Sequence, residues 1–334
     1  MQSGNASYIF KSILFVAILV LLLGVNHAII EYLLEKNKAS LANWLLSQQE
    51  KKEYDAVILG SSSARAAINV HQFSKAVNQS VISLASAGVA YPEQYLIWEL
   101  FLRNNKTKSL ILAADYWGLS DYGFSYPYHE YQYMHRLDNE IVLTNLEDNY
   151  GKSKILLWQF LPMSKYAEFN AQIGLHHALI NLMKNPAPYN PYPTNDNRKK
   201  LAYDEESAAS ITVSVKPSES WDENREKYFL KILQLSRDHN VQLFLFISPV
   251  LNDSRIYDLP KDKIIDYYAQ KAKAFGAYLF NINGHELTRN PNNFVNVTHL
   301  NSDGAKVFTD LFAQFLLSKR FLAIGQTLSP QNIP

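Results

Sequence analysis

Short apolar runs that alternate with amphipathic segments constrain the fold of this chain more than any other feature of its sequence. The first run, "DAVILG" at residues 55–60, begins at a charge and ends at a glycine, which is typical of a buried parallel strand. Four more runs of this kind follow, at 80–86, 109–115, 241–250 and 277–283. Residues 64–77, between the first two runs, read as one helix. The alternation predicts an α/β domain with one parallel sheet, right-handed crossovers and helices on both faces.

The first thirty residues are strongly apolar. Residues 13–25 read "ILFVAILVLLLGV", and counting from Tyr8 to Ile30 reaches the roughly 20 residues that cross a bilayer. A cleavable signal peptide, whose apolar core has about 7–15 residues, is the alternative, but no convincing small-x-small cleavage site follows. We therefore expect an uncleaved transmembrane helix. Lys11 on its short side predicts a cytoplasmic N-terminus and an outward-facing main domain.

These patterns divide the chain into segments. They are a cytoplasmic tip and anchor at 1–34, a juxtamembrane spacer at 35–52, an extracytoplasmic α/β domain at 53–321 and a C-terminal tail at 322–334. An insertion at 117–215, dense first in tyrosine and then in proline and asparagine, interrupts the domain. Insertions at this edge of a parallel sheet often shape a binding cleft, so Tyr116 and Trp117 are candidate substrate contacts that stack on sugar rings. The alternative is that such aromatic residues only pack the insertion onto the domain.

Composition narrows the possible chemistry. The formal net charge is +1 and charged residues make up 19% of the chain, so no overall field favours nucleic acid. The absence of cysteine excludes disulfides, zinc–thiolate sites and cysteine nucleophiles, and it is compatible with an oxidising compartment. The histidine clusters lack the His-Glu-x-x-His spacing of a zinc site, and no cofactor-binding glycine motif is present. We expect neither a metal nor a cofactor.

Three segments carry residues that could do chemistry. Gly60 and three serines follow the first predicted strand, Gly88 lies in a small-residue turn after the second, and His299 lies in a loop ahead of the last helix. Each has a structural explanation, because glycine permits a tight turn, serine caps helices and a lone histidine is usually structural. The carboxyl ends of parallel strands share one edge, however, and ligands bind there. We therefore expect these segments to meet.

With these residues, the chain resembles the SGNH (GDSL-like) hydrolase family, especially its membrane-anchored, extracytoplasmic members that acylate cell-envelope polysaccharides. The resemblance spans about residues 54–321 and matches the insertion poorly. It implies a three-layer, flavodoxin-like domain with a five-stranded parallel sheet. It also implies that Ser62 is the nucleophile, that His299 is its base, and that the N–H groups of Ser62 and Gly88 form an oxyanion hole. The family's last block is matched by Asn296-Val297-Thr298-His299 and then Leu300-Asn301-Ser302-Asp303-Gly304.

The chain departs from the family's pattern at two points. The third block, Gly-x-Asn-Asp, is replaced by "ADYWG", which leaves the side-chain oxyanion donor unidentified. The acid is replaced by Asn296, and in a serine protease such an exchange costs about 10⁴ in turnover. The site then works as a Ser–His dyad oriented by an amide or the backbone, or Asp115 or Asp303 substitutes, or the domain is catalytically silent. For Asp303 we expect the different role of capping the last helix.

The resemblance implies an extracytoplasmic O-acyltransferase, acetyl being the first candidate group, with an envelope polysaccharide as acceptor. A multi-spanning membrane acyltransferase is the expected donor partner, and the inner (cytoplasmic) membrane with a periplasmic main domain is the expected location. The anchor favours transfer over hydrolysis, because a transferase must sit beside its membrane source of acyl groups. The alternatives are an esterase acting on the same kind of polymer and a noncatalytic binding or assembly subunit.

Overall fold

The computed structural model describes residues 2–47, 51–119, 132–167, 183–184, 186–194, 221–252 and 261–319. They form two compact units, one from the described residues of 1–47 and 126–189 and the other from those of 48–125 and 190–334. Part of the predicted insertion thus shares a unit with the N-terminal helix. Other parts of it, including the tyrosine-rich stretch at 120–131, and the predicted tail at 322–334 lie outside the described residues.

A five-stranded parallel sheet forms the centre of the second unit. Its strands are β1 (Lys52–Leu59), β2 (Val81–Ser83), β3 (Asn105–Ala113), β4 (Gln242–Phe246) and β5 (Tyr278–Phe280). The order is β2-β1-β3-β4-β5, and every neighbouring pair is parallel. This is the flavodoxin-like order of doubly wound folds, so the predicted fold class and all five predicted strands are confirmed.

Helices connect the strands and form the rest of the described structure. Those with described bounds are α1 (Gln2–Glu35), α2 (Leu41–Ser47), α3 (Ser62–Ala67), α4 (Val70–Val77), α5 (Tyr91–Asn104), α6 (Glu140–Tyr150), α7 (Lys152–Phe160), α8 (Ser164–Ala167), α9 (Glu223–Asp238), α10 (Lys261–Ala274), α11 (Glu286–Arg289) and α12 (Ser302–Ser318). The predicted single helix at 64–77 is wrong. Ile68 is extended, and the side chain of Asn69 starts α4 anew by accepting from the backbone N–H of Gln72 at 3.1 Å.

Two groups of helices cover the sheet. The chain crosses from β1 to β2 in one direction and from β2 past β1 to β3 in the other, so right-handed crossovers put helices on both faces. Helices α3, α4 and α12 pack together, with the rings of Phe73 and Phe312 stacked at 5.6 Å in a core that includes Ile58 and Ile111. Helices α5 and α9 also pack together, and Nε1 of Trp98 donates to the hydroxyl of Ser236 at 3.0 Å.

A short hairpin outside the main sheet was not predicted. Strand β6 (Phe294–Asn296) pairs antiparallel with β7 (His299–Leu300), and it places His299 in a strand rather than in the predicted loop. Val297 in its turn is buried in the core of the unit, and the Val297 carbonyl accepts from the N–H of Leu251 at 3.0 Å. The hairpin is therefore fixed in position by packing and by the backbone.

The first unit contains the N-terminal helix α1. Its segment Ser7–Glu35, 29 residues, is long and apolar enough to cross a membrane. Large apolar side chains along it, from Tyr8 to Ile29, are exposed. From Ile30 onward the apolar side chains on one side are buried, because this end of α1 packs within the unit.

Candidate active site

Gly60 allows the tight turn between β1 and α3. A Cβ atom at this position would lie 2.6 Å from the Cβ of Ala64 and 2.7 Å from the Cβ of Ala113. Side chains do not tolerate so close an approach, so glycine is what lets the chain turn against the neighbouring strand β3. The three serines that follow come to the carboxyl end of the sheet, where ligands bind in folds of this kind.

The three serines have different surroundings. Ser61 is the N-cap of α3, and its hydroxyl oxygen accepts from the backbone N–H of Ser63 at 3.3 Å. The same hydroxyl donates to Oδ2 of Asp115 at 2.6 Å. Ser63 is buried, and its hydroxyl has no hydrogen-bond partner in the described part of the chain. Ser62, the first residue of the helix, is hydrogen-bonded to His299. The capping role and the histidine contact thus belong to different serines.

Residues 300–304 connect the hairpin to α12, and the hydrogen bonds of Asn301 hold this connection in position. Asn301 is the N-cap of α12, with Oδ1 accepting from the N–H groups of Asp303 and Gly304 at 3.1 and 3.0 Å. Its own N–H donates to the carbonyl of Asn293 at 2.9 Å. A Cβ on Gly304 would collide with that same carbonyl oxygen, so the helix can approach the hairpin only with glycine here. The predicted capping role of Asp303 is wrong, because Asn301 has that role.

A chain of hydrogen bonds joins Ser62, His299 and Asn296. Nε2 of His299 lies 2.8 Å from Oγ of Ser62, and Nδ1 lies 2.8 Å from Oδ1 of Asn296. The backbone N–H of Thr298 donates to the same Oδ1 atom at 3.1 Å, which identifies that atom as an acceptor oxygen. Nδ1 therefore carries the ring proton of the neutral imidazole. Nε2 is left to accept the proton of the Ser62 hydroxyl, which is the tautomer that a general base needs.

The hairpin explains why Asn296 reaches the ring. Asn296 and His299 are directly opposite each other in the β6–β7 pairing, so their side chains project from the same side. Because Oδ1 of Asn296 accepts from the N–H of Thr298, two residues further on, these residues form an Asx turn. The hydroxyl of Thr298 adds a contact of 3.2 Å to Oδ1 and one of 2.9 Å to Nδ1. Thr298 was not among the predicted site residues, although it precedes His299 directly.

The two residues predicted to supply oxyanion donors lie at the same cavity. Ser62 and Gly88 both line the cavity at this site. Within the described residues, neither of their backbone N–H groups donates a hydrogen bond. Gly88 has a φ of 75°, a conformation that side chains disfavour. The two predicted oxyanion donors are thus available at one cavity.

Asp115 occupies the position just beyond the carboxyl end of β3 and also lines the cavity. It is 3% exposed, and burial raises the pKa of its carboxyl, although the hydroxyls of Ser248 and Ser61 act in the opposite direction. Its Oδ2 atom bonds to Ser61, and its Oδ1 atom has no hydrogen-bond partner among the described residues. The suggestion that Asp115 replaces the missing acid is wrong, since it does not bond to the ring of His299.

The cavity has a volume of about 260 Å³, below the roughly 300–1,000 Å³ that drug-sized ligands occupy. Trp117 lines it, whereas Tyr116 is 2% exposed, does not line it, and has a pKa that burial raises to about 12. Arg225 on α9 also lines it and was not predicted. Its Nη1 donates to the carbonyl of Trp117 at 3.2 Å, and its Nε lies 3.1 Å from Oδ2 of Asp222. A buried guanidinium thus holds the backbone of one cavity wall.

Comparison with known proteins gives little beyond the fold. No protein-family model matches the chain, and no curated protein matches it. A crystal structure described as that of a "putative acylhydrolase" from Bacteroides fragilis matches 83% of this chain and 94% of its own, with 10% sequence identity and a TM-score of 0.41. At so low a TM-score and identity this likeness carries no conclusion about function, which has to come from the residues of the site.

Proposed function

We propose that this chain is an SGNH-type acyl-transfer enzyme in which Ser62 is the nucleophile and His299 the general base. The observation that carries the proposal is the hydrogen-bond chain from Ser62 Oγ through the ring of His299 to Asn296. A serine hydroxyl is a weak nucleophile until a base removes its proton, and Nε2 of His299 is at hydrogen-bond distance for this transfer. This hydrogen-bond chain lies at the carboxyl edge of the sheet, which is where doubly wound folds bind ligands.

The proposed reaction has two half-reactions. Ser62 Oγ attacks the acyl carbonyl carbon while its proton moves to Nε2 of His299, and the N–H groups of Ser62 and Gly88 donate to the oxyanion. The bond from the carbonyl carbon to the leaving oxygen then breaks, and that oxygen takes the proton from His299. An acceptor hydroxyl attacks the acyl-Ser62 ester in the same way and transfers its proton to His299. The acyl group leaves on the acceptor, and Ser62 regains its proton.

The proposed acceptor is a hydroxyl of a cell-envelope polysaccharide, and the proposed acyl group is acetyl. The small cavity supports a short acyl chain, and the presence of Trp117 among its lining residues supports a sugar acceptor. The proposed location is the inner membrane, with α1 as its anchor and the α/β domain on the periplasmic side. A transferase held there lies beside a membrane source of acyl groups, for which a multi-spanning acyltransferase is the proposed donor.

The decisive experiment traps the acyl-enzyme. The full chain, purified in detergent, is incubated with p-nitrophenyl acetate, and the peptide that contains Ser62 is analysed by mass spectrometry. We expect one acetyl group on Ser62, none in Ser62→Ala, and turnover about 10²–10⁴-fold lower in His299→Ala. Ser63→Ala is the matched control, because this neighbouring hydroxyl has no hydrogen-bond partner within the described residues, and it should keep its activity. Acetylation that persists in Ser62→Ala would overturn the assignment of the nucleophile.

The acceptor is tested in the same assay. Adding an oligosaccharide should speed the release of nitrophenol and give an acetylated sugar if the enzyme is a transferase. Release that is independent of the sugar, with acetate as the sole product, would make it an esterase.

A noncatalytic subunit is the second candidate, and Asn296 is the observation that favours it. An amide oxygen orients His299 but supplies no full negative charge to the imidazolium that forms during transfer. This candidate requires that the full chain bind an oligosaccharide while forming no acyl-enzyme. A measurement of sugar binding by calorimetry alongside the trapping experiment separates it from the enzymatic proposal.

A further inference from the structure

An exposed apolar surface on α7 is used neither by the candidate active site nor by the core of the first unit. It consists of Leu156, Leu157, Phe160 and Leu161, which are 56%, 52%, 78% and 51% exposed. We call it the α7 patch. Leu156, Leu157 and Phe160 lie at the i, i+1 and i+4 positions and so share one side of α7, and Leu161 follows directly as the C-cap residue. Ile155 and Trp158, which point the other way, are buried. Side chains of this size exposed together usually mark a surface that meets a partner or a membrane.

The segment that follows the α7 patch is fixed to one end of the apolar helix α1. The N–H of Met163 donates to Nδ1 of His27 at 3.3 Å. Lys165, which is buried, forms an ion pair with Glu31 at 2.6 Å, and the hydroxyl of Tyr166 donates to the same carboxylate. All of these contacts lie within the first compact unit.

This attachment sets the level of the patch along α1. Phe160 is three residues from Met163, so its Cα is at most about 11 Å from that of Met163. A bilayer core of about 30 Å takes roughly 20 helical residues. Counted from Tyr8, such a span ends near His27, and the change from exposed to buried apolar side chains along α1 comes at Ile30. The α7 patch therefore lies close to the level at which α1 would leave the hydrocarbon.

We infer that the α7 patch inserts into the interfacial layer of the same bilayer that α1 crosses, so that the first unit rests on the membrane surface. Exposed lysine at position 152, in the first turn of α7, suits contact with anionic headgroups, and apolar side chains in its second half suit the acyl boundary. The inference rests on the proposed membrane span of α1 and not on the proposed chemistry of Ser62.

The absence of cysteine from the chain makes the test direct. Single substitutions Leu157→Cys and Phe160→Cys are made in the full chain, labelled with a nitroxide and reconstituted into vesicles of phosphatidylcholine and phosphatidylglycerol. Collisions with oxygen report lipid, and collisions with a water-soluble nickel chelate report water. Val16→Cys, within the proposed span, is the lipid control, and Thr144→Cys, exposed on α6 of the same unit, is the water control.

We expect the labels at positions 157 and 160 to have an oxygen-to-nickel collision ratio several-fold above that of Thr144→Cys and close to that of Val16→Cys. If Val16→Cys reports lipid but both patch labels report water, the inference is wrong while the anchor stands. Low collision rates with both agents at the patch would mean that a second copy of the chain covers it, and this outcome also overturns the inference. A water-like Val16→Cys would overturn the membrane span itself. Acyl-enzyme formation on Ser62 is measured in the same vesicles, so that failure of the membrane inference can be distinguished from failure of the proposed chemistry.

Discussion

Oδ1 of Asn296 lies 2.8 Å from Nδ1 of His299, at the position where serine hydrolases commonly hold a carboxylate. The N–H of Thr298 donates to that oxygen, so the amide cannot turn its NH₂ group toward the ring without losing this bond. This difference matters, because an asparagine free to flip would favour the wrong tautomer of histidine. Here Asn296 supplies the orientation that a carboxylate would supply, and it lacks only the charge.

The first prediction concerns Asn296→Asp, which adds that charge. A hydrogen bond to a charged group contributes about 1–1.5 kcal/mol more than a neutral one, so we expect kcat for ester cleavage to rise about tenfold. The full 10⁴ of the protease example is not expected, since the tautomer is already correct. Steady-state kinetics with an activated acetyl ester measures the change, and Asn296→Ala should show the opposite effect. An unchanged rate in Asn296→Asp would mean that imidazolium charge does not limit turnover.

The second prediction separates positioning by Thr298 from packing. Thr298→Val removes the hydroxyl that contacts Oδ1 of Asn296 and Nδ1 of His299 but retains the backbone N–H and nearly the volume. Losing one such hydrogen bond costs about 0.5–1.5 kcal/mol, so kcat should fall roughly 2- to 10-fold with little change in KM. Thr298→Ser restores the hydroxyl and should restore the rate. If Thr298→Val keeps the wild-type rate, the hydroxyl has no positioning role, and if Thr298→Ser is as slow as Thr298→Val, the hydroxyl without the methyl group does not suffice.

The third prediction tests the oxyanion role of Gly88 against a matched glycine. Gly88 and Gly276 have φ values of 75° and 66°, so alanine at either position is strained by about 1–2 kcal/mol. A Cβ on Gly276 would meet nothing within 4 Å, and Gly276 does not line the cavity. Gly88→Ala should lower kcat by at least about tenfold, because losing one oxyanion donor outright costs about 10²–10³. Gly276→Ala should lose similar stability, by thermal unfolding, and keep its kcat. Equal kcat in both variants would contradict the oxyanion role.

Much of the central fold could be predicted from the sequence, because buried parallel strands are nearly continuous apolar runs and five such runs can be recognised in the sequence. The meeting of Ser62 and His299 followed from the same pattern, since residues after parallel strands share one edge. The hairpin could not be predicted in this way. Its strands, Phe294–Asn296 and His299–Leu300, are too short for alternation to be recognised, and packing within the unit decides their pairing.

The remaining errors have local causes. Asn301 and Asp303 are both good N-cap residues, so sequence alone cannot choose between them, and the bond from the Asn301 N–H to the carbonyl of Asn293, just before the hairpin, decides. Arg225 lies far from Ser62 along the chain and reads as an ordinary charged helix residue. Tyr116 lies just after a buried strand, and nothing in the sequence shows that it is buried away from the cavity while the next residue, Trp117, lines it.

The fourth prediction is a pH dependence of stability that arises from Asp115. Burial raises the pKa of this carboxyl in the folded chain above its ordinary value of 3.8. At pH values between the unfolded-state pKa and this raised folded-state pKa, the native state therefore binds more protons than the unfolded state. Stability therefore falls as pH rises through this window. Asp115→Asn removes the charge and keeps an oxygen that accepts from Ser61. The variant should be more stable than the wild type at neutral pH, and its advantage should shrink as pH falls.

Asp55 is the control of opposite sign. Although burial alone would raise its pKa, the ammonium of Lys108 at 2.7 Å and the N–H of Ser80 hold the pKa below the ordinary value. Its stabilising contribution is therefore present above the unfolded pKa and lost on acidification, so Asp55→Asn should be less stable than the wild type at neutral pH and approach it in acid. Urea unfolding of the full chain in detergent, between about pH 2 and pH 8, measures both differences, because the contribution of Asp55 is lost only below its ordinary pKa. Two variants whose differences from the wild type run in the same direction with pH would contradict the assignment of Asp115 as the destabilising buried carboxyl.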